Sequence, residues 1–172
     1  MRKDGNAAAG GWDNDWRQAV TRVTSVFAAL PATTRETLER LARAMVAHKE
    51  ALQAIAATAD AGNCCAGCGG ACCVRGKYHF AAADLLVYLA TAKELFAPRF
   101  ENGLCPYLGE PECLIPAGYR PFNCITFNCD LIEDRLPREE VSRFYRMEGE
   151  LKEQYAAVRS LFPNRSMDGP LL

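Results

Sequence analysis

The sequence predicts a mainly α protein: an N-terminal helical hairpin, a third helix among cysteine-rich irregular loops, and a long C-terminal helix. Two observations carry this prediction. Apolar residues recur at three-four spacing before Gly62 and again after Pro137, the signature of helices with one buried face. Between those stretches lie all nine cysteines, in segments rich in Gly and Pro that sustain no such period.

Residues 1–12 are Gly- and Ala-rich and read as a flexible arm. From Asp13, the residues Trp16, Val20, Val23, Phe27 and Leu30 mark the first helix, which Pro31 closes. Thr33 with Glu36 fits a capping box for the second, whose stripe is Leu38, Leu41, Met45, Leu52 and Ile55. His48 falls on that stripe and is expected to be a rim or core residue whose nitrogens are satisfied locally. Gly62 is the expected left-handed cap, so residues 13–62 form a hairpin packed along its apolar stripes.

Phe80–Phe96 reads as the third helix, with Ala81 as N-cap and Asp84 at the acidic third position. Residues 97–136 hold Pro98, Pro106, Pro111, Pro116 and Pro121 together with four cysteines, an irregular stretch that needs a cross-link to be ordered. The last helix runs from Pro137 to Pro163 on the stripe Val141, Phe144, Leu151, Tyr155, Val158 and Phe162. Residues 164–172 read as a frayed tail.

A chain of 172 residues is one domain's worth and buries roughly 70% of its unfolded surface. Twenty Lys and Arg interleave with twenty-one Asp and Glu, which argues against a nucleic-acid footprint. No run approaches the roughly 18 apolar residues of a membrane helix, and the opening MRKDGNAAAGGWDNDW carries no secretory pattern. A cytoplasmic location and no membrane contact are the expectations. In a reducing compartment clustered cysteines serve as metal ligands or redox groups more often than as disulfides.

The first group, NCCAGCGGACC, places Cys65 and Cys68 at CxxC spacing, which points two sulfurs at one ion. Cys72 and Cys73 are neighbours whose side chains diverge, so they suit two metal positions or one ligand and one supporting thiol. The second group supplies Cys105, Cys113, Cys124 and Cys129. A third helix of that predicted length carries the chain roughly 25 Å, and the extended stretch after it spans about 27 Å back. The two groups can therefore meet at the N-terminal end of that helix. Leaving Cys64 aside, eight thiols suffice for two four-thiolate zinc or iron sites, or for one iron–sulfur cluster with thiols in reserve. Arg75, Lys77, Arg99 and Arg120 flank them and could offset thiolate charge.

CxxC, a following CC, the Cys105–Leu108 stretch CPYL, Cys113, and Arg120-Pro121 leading to Cys124 and Cys129 resemble the YkgJ-type cysteine-cluster family, described as a zinc- or iron-chelating domain. The likeness covers roughly residues 64–130. It implies metal binding through Cys65, Cys68, Cys72, Cys73, Cys105, Cys113, Cys124 and Cys129. Gly69, Gly70 and Ala71 lengthen the family's usual spacing, Ile125 replaces a common arginine, Ala81 replaces a Ser or Thr cap, and Cys64 is an added thiol.

The Cys105-Pro106 step and the implied relatives tilt the cofactor toward iron–sulfur over zinc or iron ions. Function then divides into a metal-binding protein with an electron-transfer, metal-handling or structural role, a subunit or small relative of a cluster-dependent redox or protein-methylating enzyme, and a zinc-stapled helical module docking an unidentified protein partner. The chain has no room for a large extra catalytic domain, so stand-alone catalysis is not the expectation. The competing reading makes the cysteines buried small hydrophobes, or disulfides of an exported protein. His79 is the better auxiliary ligand of the two histidines by proximity. Tyr107, Tyr119 and Phe122 read as a loop mini-core, and Asp130, Glu133 and Asp134 as a solvated face.

Overall fold

The structure is a computed structural model describing residues 5–61, 63–64, 79–99, 105–107 and 113–171. Its helices are α1 (Gly5–Ala28), α2 (Ala32–Thr58), α3 (Ala82–Ala90), α4 (Phe122–Thr126), α5 (Asp130–Glu133) and α6 (Arg138–Ser160). Short 3-10 turns cover Ala117–Tyr119 and Pro163–Arg165, and no strand forms among the described residues. The mainly α fold, the N-terminal hairpin and the long last helix are as the periodicity predicts.

Several boundaries differ, each for a local reason. α1 begins at Gly5, not Asp13, so most of the predicted flexible arm is its first turns, where Ala7 to Ala9 supply helix propensity without an apolar stripe. Pro31, not Thr33, occupies the cap of α2, and no side chain caps it. The helix ends at Thr58, and Asp60 takes the left-handed conformation (φ 59°) expected of Gly62, which lies outside the described residues. α3 is nine residues long, not seventeen. Its end is built by the Ala92 N–H on the Leu89 carbonyl (3.2 Å) and the Lys93 N–H on the Tyr88 carbonyl (3.0 Å), with Ala92 at φ 52° where glycine is usual. An alanine gives no stop signal, and Leu95 and Phe96 prolong the apolar pattern.

Packing centres on α3, where Ala82 through Tyr88 are all buried. A short helix without a polar face is a core helix. α1 lies against it, and α2 packs on α3 and on α6 in preference to its hairpin neighbour. The stripe of α2 is buried at Leu38, Met45, Leu52 and Ile55, and that of α6 at Phe144, Leu151, Tyr155 and Val158. Trp16 crosses from α1 into an aromatic group, with ring centroids 5.5 Å from Phe80, 5.6 Å from Phe96 and 6.0 Å from Tyr107. Tyr107 is therefore mini-core, as is Tyr119, which sits 4.7 Å from Tyr88.

The tail is not frayed. Met167 and Leu171 are buried, and the Leu171 N–H bonds the Phe80 carbonyl at 2.8 Å while Gly169 accepts from Ala82 at 3.4 Å. Gly169 has φ 89°, which few other residues adopt. Nine residues are too few to display a period, so the sequence does not announce this anchoring.

The turn at Ala117–Tyr119 touches α2 at Gly118, where an added Cβ would come 2.8 Å from the Val46 Cγ1. Gly118→Ala is expected to cost about 1–3 kcal/mol in urea unfolding, through forced displacement of the turn. Ala92→Gly is expected to stabilise by about 1 kcal/mol, because the left-handed penalty of alanine exceeds the entropic cost of glycine.

Candidate metal centre

Two cysteine-bearing segments reach the start of α3: Cys124 approaches His79, and Tyr107, two residues after Cys105, packs on Phe80. Cys64 follows α2, His79 and Phe80 lead into α3, and Pro121 starts α4, which carries Cys124. Cys65, Cys68, Cys72 and Cys73 lie outside the described residues. Of the second group, Cys105 is buried, Cys113 and Cys129 are half-buried and Cys124 is exposed. Among the described residues no three His, Cys, Asp or Glu side chains are grouped to hold an ion, so the second group does not close a site by itself.

Two partners bring the segments together. Cys124 Sγ lies 3.4 Å from His79 Nδ1, joining the exit of the first cysteine loop to the second group. Burial pushes the His79 imidazole below its ordinary range, toward the neutral form that ligands require. The neighbouring side chains also register the sulfurs. Burial chiefly, then Cys105, Asp84 and Cys124, hold the Tyr107 hydroxyl above the usual tyrosine range, and Cys113 contributes at Tyr88 after burial. Cys129 caps the short α5, its carbonyl accepting from Ile132 at 2.8 Å and from Glu133 at 3.0 Å.

Cys64 takes a hydrogen bond from Arg135 Nη1 at 3.1 Å. Arg120 is tethered twice: its Nε donates to the Ile115 carbonyl (3.1 Å) and its Nη1 to Gln53 Oε1 (2.9 Å), fastening the second loop to α2. Arg75 and Lys77 lie outside the described residues, and Arg99 is exposed. His48 is a rim residue, its Nε2 2.9 Å from the Met147 carbonyl and its Nδ1 3.4 Å from Gln154. Asp130 and Asp134 face solvent, and Glu133 accepts from the Tyr145 hydroxyl at 2.6 Å.

Near Cys124 lies a buried charged group that sequence reasoning missed. Lys49 and Asp84 are 0% and 1% exposed, with Lys49 Nζ 3.3 Å from Asp84 Oδ1. The Tyr155 hydroxyl donates to the same oxygen, and the Ala81 N–H donates to Oδ2 at 2.9 Å. Asp84 thus serves its predicted capping role and also receives one donor from α2 and one from α6. Burial holds Lys49 below the ordinary lysine range, while Asp84 and, more weakly, Cys124 favour its charged form. The signal for Lys49 was its place in the apolar stripe, four residues after Met45 and three before Leu52.

A buried carboxylate that loses its cation is expensive. Lys49→Met is expected to cost about 3–5 kcal/mol in urea unfolding, with Asp84→Asn in the same chain recovering part of the loss. Tyr155 gives a pH test: burial, then Asp84, holds its hydroxyl well above 10. In the unfolded chain it ionises near pH 10, so its contribution is complete below that pH and is lost as pH rises through the folded value. Tyr155→Phe is therefore expected to lose stability less steeply than the parent above pH 10 when unfolding is followed by circular dichroism.

Compared with family models, curated proteins and solved structures, the chain matches none.

Proposed function

We propose that this protein holds a metal centre, an iron–sulfur cluster or zinc or iron ions, through cysteines of both loops. The observation that carries the reading is the 3.4 Å approach of Cys124 to His79, which brings the second cysteine group to the exit of the first. The donor chemistry fits: sulfurs from a CxxC and from a Cys-Pro loop suit zinc and iron–sulfur alike. Cys65, Cys68, Cys72, Cys73, Cys105, Cys113, Cys124 and Cys129 are the proposed ligands, in the manner of the YkgJ-type cysteine-cluster family. His79 supports or supplements Cys124. Lys49, buried and paired with Asp84, stands close enough to Cys124 for that sulfur to favour its charged form. Cys64, held by Arg135, is left out.

One observation favours a second reading, a subunit or small relative of a cluster-dependent enzyme. A cleft opens beside His79, so a group bound there would sit next to the cysteine centre. A purely structural metal does not need such an opening. Both readings require the same loading and differ in whether the centre changes oxidation state.

Anaerobic purification with metal and acid-labile sulfide analysis tests the proposal. About four irons and four sulfides per chain, with visible absorbance that bleaches on reduction, is the expected outcome for a cluster; stoichiometric zinc without sulfide is that for ions. Cys124→Ser is expected to lower the metal content sharply and Cys64→Ser to leave it unchanged. A chain that binds neither iron nor zinc, or that loses as much metal from Cys64→Ser as from Cys124→Ser, overturns the assignment.

A further inference from the structure

The cleft beside His79 has a composition that metal ligation does not explain. It encloses about 260 Å³, roughly the liquid volume of nine waters, which suits a small metabolite better than a large cofactor. Asp84 and Tyr155 form its buried end, Phe122 and Ala81 give it apolar surface, and Lys152 and Arg159 stand toward solvent. The sequence order produces this directly. Lys152, Tyr155 and Arg159 fall three and four residues apart on one face of α6, so two cations bracket the tyrosine across about 10 Å of helix.

The sign of the ligand follows from which groups are already committed. Asp84 already accepts three hydrogen bonds, from Lys49 and Tyr155 on one oxygen and from the Ala81 N–H on the other, so it offers little to a cation. The first backbone donors of α3 are also taken, Ala81 by Asp84 and Ala82 by Gly169. Lys152 makes no ion pair among the described residues, and Arg159 uses its Nε on Asp168 at 3.7 Å, leaving its terminal nitrogens for another acceptor. Beside the neutral Asn123 amide and the His79 ring, the available donors are the cationic side chains of Lys152 and Arg159. Phe122, whose ring meets Tyr155 edge-on at 5.5 Å between centroids, adds an aromatic surface beside them.

We propose that this cleft binds a small organic anion, with Lys152 and Arg159 taking its carboxylate or phosphate group and Phe122 covering a compact apolar or aromatic body. The binding goes beyond metal ligation, since no residue assigned to the anion is a proposed metal ligand. Its place beside His79 and Cys124 sets the ligand at the edge of the cysteine centre, where a substrate or regulator of that centre would lie.

Calorimetric titration of the full chain with phenyl phosphate, benzoate and benzamidinium tests this. At least one anion is expected to bind saturably with one site per chain, and the cation is not. The double variant Lys152→Gln/Arg159→Gln is expected to weaken anion binding at least tenfold, and Asn123→Trp, at the cleft wall, to block it. Arg138→Gln/Arg143→Gln, on the same helix but outside the cleft, is expected to leave it unchanged. The phosphate and carboxylate probes distinguish the two head groups. Absence of saturable binding by both anions, retention of affinity in the Lys152/Arg159 variant, or comparable binding of benzamidinium overturns the proposal. Protein that purifies without metal yet binds the anion overturns the metal reading alone, and metal-loaded protein that binds neither anion overturns this one alone.

Discussion

The Asp84 carboxylate is the constraint on which the architecture turns. It sits at the first turn of the core helix α3 and is met by Lys49 from α2, by Tyr155 from α6 and by the backbone at Ala81. Burying a carboxylate without such partners would cost several kcal/mol. The three helices consequently have one mutual arrangement in which that charge is satisfied, and apolar packing alone would tolerate sliding that this group does not. Lys49 Nζ also lies 5.0 Å from the centre of the Tyr155 ring, so the ammonium is held by a carboxylate and an aromatic face together.

That arrangement in turn fixes where the cysteine loops begin and end. Phe80 is clamped at the entry of α3 by Trp16, Tyr107 and the tail backbone, so the first loop must return to one place. Arg120 fastens the second loop to α2, and α4 follows at once with Cys124. The aromatic group around Phe80 belongs to the same construction, since Tyr107 stands two residues after Cys105. Core and cysteine-bearing loops are thus parts of one packing problem.

Much of this was readable in the sequence where a long period existed. The stripes of α2 and α6 announced themselves, and the Asp84 place in α3 followed from its position after Ala81. What escaped was set by tertiary context. Ala92 ends a helix in a conformation that alanine does not advertise, and the tail is anchored through two buried side chains and two backbone bonds. Lys49 was visible only as a polar residue at an apolar position, a pattern that more often marks a rim side chain reaching solvent. The cysteine groups stood out in the sequence by spacing and residue type. The approach of Cys124 to His79 depends on a fold that no local pattern encodes.

The fastening of Arg120 to Gln53 and the Ile115 carbonyl has a further consequence for how a metal would come and go. In small metal-dependent domains the ion is also the core, and its departure unfolds the chain. Here the second loop is tied to α2 by bonds between protein groups, and the core beneath it is built by the helices together with loop residues such as Tyr107 and Ile115. Loading of the proposed centre would then act on a scaffold already tied together by protein groups. The lifetime of a bound ion would be governed by exchange at sulfur and not by the rate of global unfolding, a property suited to a centre that must be filled, emptied or oxidised repeatedly.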